Sequence, residues 1–513
     1  MSGGGRLALA TPHRLATEAG VAAFRVGGTA LDAALAAAAV LTVVAPQDCA
    51  LGGDAIALAG APDGTLRVLN GSGAAARAVD ADALRARHAA MPIRGVDPIT
   101  VPGAVAAWAS LAALGARLPW RELLAAAIAH ADEGVPVSAP LGRALAREQA
   151  LLAGDPGLRS VFAPDGVPLT PGATLRQPAL ARTLRALAEG GAEALYEGEI
   201  GAALLAGLRT LGAPLDREDL AAHATELATP LLGGYADVEV ATAPPNSQGF
   251  ALLELLGALA PLGDAPDPLG PSLALLAELC RLAARDRDAH LADPRQAATP
   301  LARLLGPAHA AELLAAARAS VGEPAAAAGS AAHTPGGDTV AIVALDDEGH
   351  SVSLIQSVFW AFGAGVLEPA TGILCHNRGA GFSLAPDAPN ALRGGARPPH
   401  SLMPVLVLRD GAVEGVHGTM GGLAQPQIHL QVLLRLLRGA SAAEAVAAPR
   451  WIVEEDGGLA IERDAGVRIA GARELQPGDD LVGHAQLARR TAAGELEAGS
   501  DPRAGAAAAV AAR

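Results

Sequence analysis

The sequence predicts an α+β or layered α/β fold, and two features carry that expectation. Helix-patterned segments fill the middle of the chain, and strand-patterned segments gather towards both ends. The chain has 513 residues, 51% of them hydrophobic but only 2% aromatic, so its core has to be packed from Ala, Leu and Val. This length allows two to four domains or one large layered domain.

Near the start, Ala16 to Val26 reads as a helix that stops at Gly27-Gly28, with Thr29 placed to cap the next one. That second helix, Leu31 to Val44, is apolar on every side except at Asp32 and Thr42, the pattern of a buried helix. Gly52-Gly53-Asp54 then leads into two short strands, Ala55–Ala59 and Thr65–Leu69, around an Asp63-Gly64 turn. From Asp80 to Ser330 the pattern is mainly helical, with segments such as Val105–Leu114, Trp120–Glu133, Pro178–Glu189, Ser247–Ala260, Pro271–Leu291 and Pro307–Ala317. Val321 to Gly337 is rich in Ala, Gly and Pro and reads as a loop or linker. Beyond it lies a strand-rich third with Pro404–Leu408, followed by helices at Pro426–Arg438 and Ala442–Ala447.

Composition excludes some function classes. A net charge of −15 argues against a nucleic-acid partner, which needs a basic face. Every basic residue is Arg, which fits GC-rich codon usage rather than a function. Cys49, Cys280 and Cys375 are few, odd in number and widely spaced, which suits a reducing compartment. No signal peptide is readable at the N-terminus, and the apolar run Ala33 to Pro46 is too short to span a membrane. A cytoplasmic protein without a membrane partner is the expectation.

The most informative stretch is Gly336-Gly337-Asp338-Thr339, which opens the apolar run Val340 to Leu345. Asp346-Asp347-Glu348-Gly349 is turn chemistry, and Ser351 to Val358 is a second strand-like run. A three-residue loop at Asp347-Glu348-Gly349 sets Asp346 opposite His350 and, counting outward, Thr339 opposite Ser357; a slip of one residue breaks that pairing. Cutting the Asp338–Thr339 bond gives Thr339 a free α-amine with a reference pKa of about 8. That amine is a base adjacent to the hydroxyl it activates. Taken alone, the stretch favours a plainer reading, a buried hairpin in which Thr339 merely begins a strand.

Other patterns are weaker. Gly418-Thr419-Met420-Gly421-Gly422 precedes a helix, so its backbone N–H groups suit an oxyanion, but glycine loops that only start a helix are common. Cys375 and His376 are strand neighbours that point to opposite faces and do not form a pair. No metal-ligand spacing, nucleophile elbow or P-loop is present. From these residues alone the reading stops at a soluble, enzyme-sized α/β protein.

Together the patches resemble the γ-glutamyltranspeptidase family of N-terminal-nucleophile hydrolases. The matching motifs run in order: Gly27 to Ala34, Leu51 to Asp54, Gly337-Asp338-Thr339-Val340, Phe362 to Gly365, Gly372 to Leu374, Asn377 to Phe382, Gly418 to Gly422, Gly483 to Gln486 and Asp501-Pro502-Arg503. The resemblance implies a four-layer αββα sandwich forming one domain over residues 1–513. It also implies autocatalytic cleavage into a large subunit, 1–338, and a small subunit, 339–513, that stay associated. By position Thr339 matches the nucleophile, Ser357 a hydroxyl beside it, and Gly421 and Gly422 the glycine pair of the oxyanion hole.

The residues that recognise glutamate in typical members are largely replaced: Thr339-Val340-Ala341 stands at the cleavage point, Gly381 at an acidic position, and His400-Ser401 at paired serines. This is similar to the "GDTV" branch, with its oxamate amidohydrolase-like and acylase-like members. The expected function is therefore an autoprocessed amidohydrolase acting on a small amide, with Asn377, Arg378, His400 and Ser401 as substrate contacts and no metal or cofactor. The alternatives are a γ-glutamyl hydrolase or transpeptidase acting on glutathione-like substrates, and an unprocessed binding member.

Overall fold

The computed structural model describes residues 5–321, 338–505 and 507–513. Two antiparallel sheets lie face to face. The first has seven strands in the order Ala507–Ala512, Arg6–Thr11, Asp338–Asp346, Ser351–Phe359, Asp54–Gly60, Leu66–Asn70 and Glu226–Ala228. The second has six, in the order Leu496–Ser500, His484–Arg490, Ala412–Met420, Val405–Arg409, Val238–Thr242 and Leu231–Tyr235. Alternation decides what each sheet buries. Ala341, Val343, Ile355, Ile56 and Leu58 turn inward to meet Leu406, Val416 and Ala488 of the second sheet. Val340, Ile342, Ala344, Leu354 and Ala57 turn outward to the helices that cover the first sheet.

The chief of those helices is Ala30–Val44, all of whose residues are buried. Thr29 and Asp32 form the capping box at its start, a motif in which the cap residue contributes about 1 kcal/mol. The Ala30 N–H donates to Asp346 Oδ2 at 2.8 Å, which ties the helix to the central hairpin. On the far side, Phe250–Leu259, Leu273–His290, Pro307–Ser320 and Gln425–Leu437 cover the second sheet. The result is helix, sheet, sheet, helix.

The sheets pack tightly at Gly418, where a Cβ would sit 2.8 Å from that of Ala341 and 3.0 Å from Ile355 Cδ1. Only glycine fits without displacing the hairpin.

The helices and the hairpin register follow the sequence reading: Asp346 N–H donates to His350 O, and Thr339 pairs with Ser357. One stretch corrects it. Residues 226–242 fall within the segment read as mainly helical, yet they form three strands, one in the first sheet and two in the second. Gly233-Gly234 and the prolines hide an alternating pattern that only pairing with Val405–Arg409 and Leu66–Asn70 reveals. Of the expected 321–337 linker, only Val321 lies within the described residues. No described helix is long and apolar enough to cross a membrane.

Candidate active site

Three polar residues stand in one row across the first sheet. Thr339 pairs with Ser357, and Ser357 pairs with Asp54 on its other side. Residues directly opposite share a face. Parity with Ala341, Ile355 and Ile56 sets that face toward the second sheet, so the row closes the end of the apolar layer between the sheets. All three side chains are buried.

The Thr339 hydroxyl donates to Ser357 Oγ at 3.0 Å, and the Ser357 hydroxyl donates to the Asp338 carbonyl oxygen at 2.8 Å. Ser357 Oγ also accepts the Phe359 N–H at 2.8 Å, through a bulge that sets Phe359 rather than Val358 opposite Asp338. The Asp338–Thr339 peptide is thus held with a hydroxyl donor on its carbonyl oxygen and an adjacent hydroxyl of its own.

Asp54 anchors a second network. Its Oδ2 lies 3.1 Å from His400 Nε2 and 3.5 Å from His376 Nδ1, and its Oδ1 accepts the Gly73 N–H. Burial opposes charge on Asp54, but His376, His400 and the Arg378 guanidinium outweigh it and hold the carboxyl below the usual carboxylate range. Burial, with Arg378 nearby, pushes the His400 imidazole down to about 3. It is neutral at physiological pH, with Nε2–H donating to Asp54 and Nδ1 accepting the Leu402 N–H at 3.3 Å. His376 Nε2 faces the Thr100 carbonyl at 3.0 Å.

Arg378 is the charged group with donors to spare. Its guanidinium lies 3.8 Å over the Phe359 ring and its Nη1 donates to Ser401 Oγ at 3.3 Å. Its Nε and Nη2 have no hydrogen-bond partner among the described residues. Burial pulls its pKa down to about 9, so it still carries its charge at neutral pH. Asn377 is engaged at both ends of its amide: Oδ1 accepts the Trp360 N–H, and Nδ2 donates to the Ile93 carbonyl.

Gly421 and Gly422 follow the strand Ala412–Met420, and both have positive φ, 149° and 55°. L side chains rarely adopt the backbone conformation of Gly421, so this turn favours glycine. Gln248 joins this loop to the polar network, because its Nε2 donates to both the Gly422 and the Ser401 carbonyls. Met420 and Asp338 line the same open cleft, of about 1260 Å³. Within it, burial pushes the Asp338 carboxyl up to about 6, and burial together with Asp338 raises that of Asp48.

The structure thus gathers Thr339, Ser357, Arg378, His400 and Ser401 in one region, with the Gly421-Gly422 loop tied to it through Gln248. Asp54, His376 and Gln248 escape sequence reasoning. Asp54 had a visible signal, a carboxylate opening a strand straight after two glycines, but its histidine partners, His376 and His400, lie more than 300 residues away. Burial pushes the Cys375 thiol up to about 12.

Stacked antiparallel sheets between helical layers, with a threonine near the start of a central strand, define the N-terminal-nucleophile hydrolase class. Residues 16–511 match the model of the Gamma-glutamyltranspeptidase family, and the chain belongs to that family. It is 36% identical over 97% of both chains to the oxamate amidohydrolase proenzyme of Klebsiella pneumoniae. It is 35% identical over 96% of both to the glutathione hydrolase-like YwrD proenzyme of Bacillus subtilis. Among solved structures, cephalosporin acylase from Bacillus halodurans superposes with a TM-score of 0.90 at 33% identity, over 99% of this chain and 96% of that one.

Proposed function

We propose that this chain is a proenzyme that cuts itself between Asp338 and Thr339 and then hydrolyses a small amide bearing a carboxylate. The observation that carries the first half is the hydrogen-bond chain Thr339 Oγ1 to Ser357 Oγ to Asp338 O. In maturation, Thr339 Oγ1 attacks the Asp338 carbonyl carbon while the Ser357 hydroxyl holds the oxygen that becomes negative. The C–N bond breaks, the nitrogen takes the hydroxyl proton, and Asp338 is left as an ester on Thr339. Water hydrolyses that ester, leaving the Asp338 carboxylate and a free Thr339 α-amine.

In turnover, that α-amine takes the Thr339 hydroxyl proton as Oγ1 attacks the substrate carbonyl, and then delivers it to the leaving nitrogen. The Gly421 and Gly422 N–H groups are proposed to hold the oxyanion. Water, deprotonated by the same amine, releases the acid. Arg378 is proposed to hold the substrate carboxylate, since its unpartnered Nε and Nη2 form the side of a guanidinium that binds carboxylates bidentately. Ser401 orients Arg378, His400 fixes Asp54, and Asn377 bridges the Ile93 and Trp360 segments.

The large and small pieces stay joined in this reading because they alternate within one sheet. Arg6–Thr11 lies between Ala507–Ala512 and Asp338–Asp346, so a cut at Asp338 leaves its ladders intact. The spaced, free cysteines support a cytoplasmic setting.

The test is a panel of short amides, oxamate included, assayed beside uncharged analogues that lack the carboxylate. Turnover of the acids and not of the analogues is the expected result. A second reading has the support of the Bacillus subtilis relative's name: hydrolysis of γ-glutamyl amides, which would appear in the same panel as release from a γ-glutamyl anilide. A chain that matures yet turns over neither class would return attention to a binding role.

A further inference from the structure

Away from the cleft, three helices covering the second sheet each bring one side chain to a common point. Glu254 comes from Phe250–Leu259, Asp286 from Leu273–His290 and His309 from Pro307–Ser320. His309 Nε2 lies 3.1 Å from Asp286 Oδ2 and 3.7 Å from Glu254 Oε1. One ligating atom from each residue falls within 4.8 Å of the other two.

A second observation concerns Glu254 alone. Its side chain is 0% exposed, yet neither carboxylate oxygen has a hydrogen-bond partner among the described residues. A buried carboxylate left without donors is strongly unfavourable. A proton would remove the charge, and burial with Asp286 nearby does push this carboxyl up to about 9. The second oxygen would still have no donor, and the nearest side of Asp286 is already turned to His309. Arg303, whose charge favours the ionised Glu254 carboxylate, turns its Nη2 to His290 Nε2 at 2.9 Å instead. A divalent cation neutralises the carboxylate and occupies its lone pairs together.

We propose that Glu254, Asp286 and His309 bind a divalent transition-metal ion, zinc by preference, that pins these three helices together. Two ligands about 2.1 Å from a tetrahedral centre lie roughly 3.4 Å apart, and the observed 3.1 and 3.7 Å bracket that spacing. One imidazole with two carboxylates suits zinc, manganese, cobalt or nickel, whereas calcium and magnesium favour all-oxygen shells. With Nε2 on the metal, His309 Nδ1–H faces Glu312 Oε2 at 3.9 Å, within ion-pair reach but beyond hydrogen-bonding distance. Asp286, 21% exposed, gives the ion a route in and leaves room for a water as the fourth ligand. Arg287, the residue after Asp286, donates to the Leu423 carbonyl beside Gly422, so the same helix reaches the glycine loop.

The test starts from purified full-length protein stripped with a chelator and titrated with zinc by calorimetry, with thermal unfolding recorded in parallel. The proposal expects about one equivalent bound and a Tm that rises with zinc concentration, both lost in His309→Ala. Glu254→Gln keeps the shape of the buried side chain and should lose binding too; if His309→Ala does not fold, this variant decides on the same readouts. Stripped parent protein that takes up neither zinc, manganese nor nickel overturns the proposal. So does uptake that persists unchanged in the folded variants, because the metal then sits elsewhere.

Discussion

Ser357→Ala removes a single oxygen on which three hydrogen bonds converge: the Thr339 hydroxyl and the Phe359 N–H donate to it, and it donates to the Asp338 carbonyl. Two consequences separate cleanly. The first is kinetic. If the Ser357 hydroxyl stabilises the oxygen that becomes negative during self-cleavage, its loss resembles deletion of one oxyanion donor, which slows a reaction by about 10²–10³-fold. The second is structural. The Phe359 N–H is left without its acceptor at a partly buried site, which costs about 1–3 kcal/mol. Ser357→Thr keeps the hydroxyl on the same strand and should restore most of the rate. The assay follows the fragment beginning at Thr339 by intact mass over hours after rapid purification, with thermal unfolding of the uncut chain as the measure of fold. Slow cleavage in Ser357→Ala, near-parent cleavage in Ser357→Thr and a modest stability loss in the first form the expected pattern. Cleavage of Ser357→Ala at the parent rate in a folded chain would refute the reasoning, whatever its stability.

Three further outcomes follow from the same geometry. Arg378→Lys removes the planar fork while keeping a charge, and should raise KM for carboxylate-bearing amides by about 10–100-fold, the value of one lost charge-assisted hydrogen bond; uncharged amides, compared in the same kinetic assay, should change little. Asp54 carries a carboxyl depressed in the folded state, so its contribution is present above its unfolded pKa of about 4 and lost as pH falls through the folded value; Asp54→Asn weakens the hydrogen bond with His400 and should cost about 1–3 kcal/mol at pH 7, and urea unfolding should show the gap to the parent narrowing below about pH 4. Asp338 is the reverse case, raised from 3.8 to about 6: its folded state favours the proton, so it destabilises the uncut chain as pH rises from about 4 to 6, and in a Thr339→Ala background Asp338→Asn should gain up to about 3 kcal/mol at pH 7.5 but little at pH 4.

The sequence makes the hairpin legible because its information is local. Turn residues at Asp347-Glu348-Gly349 fix the count, the two-residue period does the rest, and Thr339 meets Ser357. The buried helix Ala30–Val44 is legible for a similar reason: its cap, Thr29, and its apolar surface all lie within one unbroken stretch ending at Val44. Arg378 and Ser401 are found only through family resemblance, and nothing in their spacing announces that one donates to the other. Asp54 and His400 lie 346 positions apart and meet only because the Ser247–His400 bridge and the first sheet bring them together. The strands at 231–242 are missed because glycines interrupt them and their pairing partners come from 405–409. In each case the deciding free energy is tertiary, and no window of the sequence contains it.

The account rests on Thr339 as both the point of cleavage and the nucleophile. The most direct test is the intact mass of the purified parent beside Thr339→Ala, with the N-terminus of any small fragment sequenced. The account predicts two associated pieces in the parent, the smaller beginning at Thr339, and one uncut, folded, inactive chain in the variant. A parent that remains a single chain through long incubation, or a variant that is cut at the same bond, would contradict it.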